Sequence, residues 1–125
     1  MKRIEIGIGG GKQALAEFAR VWKRGASGER LPKAAPRVDF ASLGEMLATL
    51  TPKRMALLDA VAAQPGLSIR ALAGKLQRDY KNVHSDVTAL TELGLIERTA
   101  DGALVAPYDE LVIHAPLSAA ARRAA

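Results

Sequence analysis

The sequence predicts an α+β fold, a mainly helical domain preceded by a small N-terminal strand-helix-strand extension. Three observations carry this. Residues 68–94 hold two apolar stripes at helical spacing, with only Gln77 and Arg78 between the first and the Asp79 cap of the second. Residues 95–106 alternate on either side of Ala100-Asp101-Gly102, as a hairpin does. Lys2 to Ile8 alternates as well, ahead of a glycine-rich turn and an amphipathic segment.

In the first strand, Ile4, Ile6 and Ile8 point one way and Arg3 and Glu5 the other. The turn Gly7-Ile8-Gly9-Gly10-Gly11-Lys12 is not a phosphate loop: Ile6 stands where the first glycine belongs, and Gln13 where a hydroxyl would hold magnesium. The dinucleotide fingerprint fails too, because Lys12 takes the place of its last glycine. From Gln13 to Arg24, the residues Ala14, Leu15, Phe18, Val21 and Trp22 define one face of a helix. Phe18 and Trp22 are expected in the core or at a subunit contact. Gly25 to Pro36 has the composition of an exposed loop, and Arg37-Val38-Asp39-Phe40 reads as a short strand beside the first.

Ser42-Leu43-Gly44-Glu45 is a capping box, continued by Met46, Leu47 and Leu50 as a short helix. Thr51-Pro52 restarts a helix with a cap and a proline at its first position; Met55, Leu58, Val61 and Ala62 give it a buried stripe, with Lys53 and Arg54 exposed for phosphate contact. Gln64-Pro65-Gly66 ends it. Ser68 caps the next helix, whose stripe is Ile69, Leu72, Ala73 and Leu76. Asp79 caps the one after, with Tyr80, Val83, Val87 and Leu90 as its stripe and Gly94 beyond its end. Leu95 to Thr99 and Ala103 to Ala106 form the hairpin. Leu111-Val112-Ile113 is either a third strand or a dimer contact, and residues 116–125 either fray as helix or stay disordered.

The order helix, short turn, helix, Leu93-Gly94-Leu95-Ile96-Glu97, hairpin resembles the winged helix-turn-helix transcriptional regulators of bacteria and archaea, broadly MarR-like, over roughly residues 51–108. Within that group it looks most like the small autoregulatory DNA-binding proteins paired with a toxin. The resemblance implies a recognition helix over residues 79–93, a wing after it, and an antitoxin role in which the N-terminal segment or dimer surface binds a cognate toxin protein.

Composition sets the outer limits. A chain of 125 residues supports one compact domain plus an extension, divided here as 1–50 for the extension, 51–114 for the DNA-binding domain and 115–125 for a flexible tail. Aromatics at 4% supply no stacking platform for single-stranded nucleic acid. The absence of cysteine excludes disulfides and thiolate zinc sites. His84 and His114 have no second ligand at helical spacing, and Ser85 beside His84 points elsewhere, so neither a metal site, a cofactor site nor an enzyme is expected. No apolar run reaches membrane-spanning length, and the expected location is the cytoplasm.

The net charge of +5 favours a polyanionic partner. Its distribution qualifies this: residues 1–50 hold nine Lys or Arg against five acids, whereas residues 51–114 hold seven against eight, so the cations of the domain must cluster on one face. The candidate DNA-binding set is Arg70, Lys75, Arg78, Lys81, Asn82, His84, Ser85 and Arg98. Lys81, Asn82, His84 and Ser85 lie on the outer face of the second helix, with donors for base edges or phosphates; a merely solvated face is the plainer reading. Asp86 is expected to turn sideways, or to accept from a cytosine amino group. Double-stranded DNA is the expected partner, bound by a homodimer whose interface draws on residues 1–50. The alternative is a protein-interaction module that uses the same fold without DNA.

Overall fold

A computed structural model describes residues 2–9 and 36–117. The expected helix from Gln13 to Arg24, with Phe18 and Trp22, lies outside the described residues, as do Gly10 to Lys12 and residues 118–125. The fold is mixed α/β. Its compact units are Met1–Lys2 with Ala48–Asp109, and Arg3–Leu47 with Glu110–Ala125.

The second of these holds a parallel sheet. β1 (Arg3–Ile8) is central, with β2 (Arg37–Phe40) on one side and β5 (Glu110–Ile113) on the other. The registers pair Ile6 with Val38 and with Ile113. Ile4, Ile6 and Ile8 are buried, as their alternation requires. Gly7 faces the other way, under the Arg37 guanidinium, where a Cβ would collide with Nη2. The run at 111–113 is therefore a strand, and it pairs with β1 rather than with the hairpin, so the sheet unit takes up the chain again at Glu110. After β2, the Ser42 hydroxyl accepts from the Glu45 N–H at 3.1 Å and starts α1 (Leu43–Thr49), where Met46 is buried.

The helical unit is built from α2 (Pro52–Ala63), α3 (Ile69–Leu76) and α4 (Tyr80–Glu92). Each start carries the expected cap: Thr51, Ser68 and Asp79 all accept from backbone N–H groups of the first turn. Leu57, Val61, Leu72, Val83 and Leu90 are fully buried, and each contributes about 1.5–3 kcal/mol relative to exposure. In α2 the buried face is Leu57, Leu58 and Val61, rotated from the expected stripe; Met55 is only half-buried and Ala62 is exposed.

α3 ends in a tight reversal. Gln77 takes the left-handed conformation at φ 53°, the Gln77 N–H donates to the Gly74 carbonyl, and the Arg78 N–H reaches back to the Ala73 carbonyl at 3.0 Å. A side chain there costs about 1–2 kcal/mol that glycine avoids, partly offset by the entropy glycine loses on folding. Gln77→Gly should therefore raise stability by about 0.5–1 kcal/mol, seen as a higher urea midpoint at unchanged slope; a lower midpoint would contradict this reading.

The hairpin is shorter than its alternation suggests: β3 (Glu97–Arg98) pairs antiparallel with β4 (Leu104–Val105). Leu95 and Ile96 precede it, both buried and neighbouring, a pattern that a one-sided strand forbids. Leu95 instead closes the end of α4, its N–H donating to the Leu90 carbonyl at 2.9 Å past Gly94 at φ 81°. β4 also has a partner on its other side. Leu67 bridges to Leu104, with the Leu104 N–H donating to the Leu67 carbonyl and the Gly66 N–H to the Leu104 carbonyl.

Candidate nucleic-acid interface

The site is the outward side of α4 and what flanks it. Asp79 has one job there: its Oδ2 accepts from the backbone N–H groups of Lys81 and Asn82 at 3.1 and 3.3 Å, leaving both of their side chains exposed. His84 and Ser85 follow one turn on and are also exposed. These four candidates share one face, and among the described residues no carboxylate lies within ion-pair distance of Lys81.

Asp86 turns the other way. Its Oδ1 accepts from Arg54 Nε at 3.0 Å and its Oδ2 from Arg78 Nη2 at 2.7 Å, while Arg54 Nη1 also donates to the Thr49 carbonyl at 2.8 Å. All three side chains are largely buried, with exposures of 14% for Asp86, 20% for Arg78 and 23% for Arg54. Burial opposes ionisation of Asp86, but the hydrogen bonds from Arg78 and Arg54, and their charges, outweigh it and hold the carboxyl below its ordinary value of 3.8. The cluster ties α2, the turn after α3 and the middle of α4 together.

This corrects two expectations. Arg78 does not stand with the exposed candidates; its guanidinium is spent on Asp86, and its Nη1 is buried without a hydrogen-bond partner. Arg54 is likewise drawn inward rather than offered to a phosphate. The sequence holds little to reveal this, since Arg54 and Asp86 lie on different helices, 32 residues apart.

A third correction concerns Tyr80, expected in the buried stripe but 44% exposed. It occupies the first turn of α4, where the helix has not yet entered the core that closes around Val83. The Arg70 guanidinium lies 5.4 Å from its ring centroid, and the His84 ring is 6.0 Å away at 42°. Arg70, Tyr80 and His84 thus form one exposed group across α3 and α4.

The remaining candidates flank this group. Lys75, near the end of α3, donates from Nζ to Gln64 Oε1 at 2.7 Å and stays exposed. Arg98 projects from β3, exposed and with no ion-pair partner among the described residues. Beyond it, the hairpin tip is held by Gly102 at φ 86° and by the Thr99 hydroxyl on the Asp101 carboxylate, a bond that lowers that carboxyl below its ordinary range.

Taken together, fold and surface define a mixed α/β protein whose helical unit presents a polar, carboxylate-free stretch of one helix beside a short hairpin. The chain belongs to the HVO_A0114 family, whose model matches residues 49–113, just over half of the chain. The matched stretch contains α2 to α4, the hairpin and β5. No curated protein and no solved structure matches the chain. Among the described residues, no helix is long and apolar enough to cross a membrane.

Proposed function

We propose that the protein is a sequence-specific double-stranded DNA-binding transcriptional regulator acting in the cytoplasm, and that its helical unit is a winged helix-turn-helix. In this reading α4 enters the major groove, Lys81, Asn82, His84 and Ser85 face base edges and phosphates, Arg70 and Lys75 fix register on the backbone, and Arg98 places the hairpin as a wing. Arg78 serves through Asp86 instead of by contact.

The observation that carries the proposal is the disposal of acidic groups around the first two turns of α4. Asp79 stays exposed but is engaged by the cap, and Asp86 is turned onto two arginines, so the exposed face keeps a lysine, an asparagine, a histidine and a serine with no carboxylate paired to them among the described residues. The second partner of β4 at Leu67 also supports the wing, because it anchors the hairpin beside the base of the helices.

By resemblance, the regulated gene is its own operon, the activity is repression, and a toxin encoded beside it is the partner protein. Footprinting on the upstream region of its own gene tests the central claim: a protected stretch is expected, and no protection at low salt would favour the protein-interaction alternative, which the near-neutral charge of residues 51–114 supports.

A symmetric dimer would set two copies of α4 about 34 Å apart on one side of a duplex. The full chain should therefore sediment at twice its 13.2 kDa mass. A species of single-chain mass at micromolar concentration would overturn the dimer.

A further inference from the structure

Tyr80 is an aromatic ring left in solvent at the leading end of the helix that meets DNA in the reading above. Val83, Val87 and Leu90 of the same helix are buried, whereas Tyr80 stands in the first turn, ahead of that core. Its ring is instead contacted by the Arg70 guanidinium at 5.4 Å and by the His84 ring at 6.0 Å. A ring held in this way offers a rigid apolar surface at low entropic cost. Beside it, Lys81 and Asn82 supply the polar contacts, and neither nearby carboxylate is free to compete.

In the major groove, the one apolar feature that a base pair presents is the thymine 5-methyl group. We propose that Tyr80, braced by Arg70 and His84, reads that methyl, so that the preferred duplex carries a T·A pair opposite the first turn of α4. This rests on the DNA-binding reading and adds a base to it. The Arg70 cation over the ring has a second consequence: it places the guanidinium at the edge of the same contact, where the strand's phosphate passes.

The test starts from the duplex that the full chain selects out of a random 20-base-pair pool. Each thymine is replaced in turn by deoxyuridine, which removes only the methyl. At one thymine per half-site, affinity for the wild type should fall about fourfold, the worth of one buried methyl-sized group. Tyr80→Ala should bind the thymine and deoxyuridine duplexes equally, while Tyr80→Phe should keep the difference. Thermal melting of each variant confirms that it is folded.

If every thymine can be replaced without loss, or if Tyr80→Ala keeps the fourfold difference, the assignment of Tyr80 fails and DNA binding stands. If no duplex is enriched from the pool, the DNA reading itself fails and Tyr80 falls with it.

Discussion

Asp86→Asn is expected to lower stability by about 2–3 kcal/mol, on the order of 10 °C in Tm for a unit of this size. The substitution keeps the shape and removes the charge. Two guanidiniums then share a largely buried space with no anion between them, while Arg78 Nη1 already lacks a partner. Removing one member of a buried ionic cluster is costly because of what it leaves behind, and removing the charges together is milder. Arg78→Met added to Asp86→Asn should therefore recover part of the loss. A Tm within about 2 °C of wild type for Asp86→Asn alone would show that the cluster contributes nothing to folding.

The pH dependence follows from the same geometry. The Asp86 carboxyl is held below 3.8 in the folded protein, so its contribution is fully present above that value and disappears as pH falls through the lower, folded one. The Tm difference between wild type and Asp86→Asn should stay constant from neutral pH down to about 5, then close in acid. A difference that instead closes on the alkaline side would point to another group.

Much of the fold is legible in the sequence because its signals are local. Thr51, Ser68 and Asp79 cap helices by bonds spanning two or three residues, and Ile4, Ile6 and Ile8 show their burial by alternation alone. What is not legible depends on partners far along the chain. β5 is visible as an apolar run, but its pairing with β1 joins residues about a hundred positions apart, and no local pattern specifies a parallel register. Leu95 and Ile96 read as strand because the sequence does not show that a helix end and a core claim both of them.

The candidate site divides along the same line. Lys81, Asn82, His84 and Ser85 share a face through helical geometry, which spacing alone predicts. Arg78 and Tyr80 depart from expectation for opposite reasons: a cation in a turn looks free until its distant anion is placed, and an aromatic in phase with Val83 looks buried until the edge of the core is known. Charge counting suffers the same blindness. It treats Arg54, Arg78 and Asp86 as three surface charges, when they are one internal cluster that takes Asp86 away from the face carrying Lys81 to Ser85.

The largest expected effect on binding comes from Lys81→Ala combined with Asn82→Ala, which should weaken the preferred duplex by about 10²–10³. The two side chains fail in different ways. Asn82 can offer its amide to the N6 and N7 edge of an adenine, worth about 1–3 kcal/mol of discrimination, so Asn82→Ala should flatten the preference among duplexes. In the proposed complex Lys81 meets a phosphate, and Lys81→Ala should weaken all duplexes alike and reduce the salt slope by about 0.9 for each phosphate left unneutralised. Neither change should disturb folding. The cap that Asp79 makes is to the backbone N–H groups of residues 81 and 82, which alanine retains, and exposed substitutions of this kind shift stability by no more than about 0.5 kcal/mol. That separates direct binding from support: Asp86→Asn should lose binding only as it loses folding on warming, whereas the double variant should lose it while fully folded. If the double variant, melting like wild type, still holds the selected duplex with the same affinity and salt slope, α4 is not the helix that meets DNA.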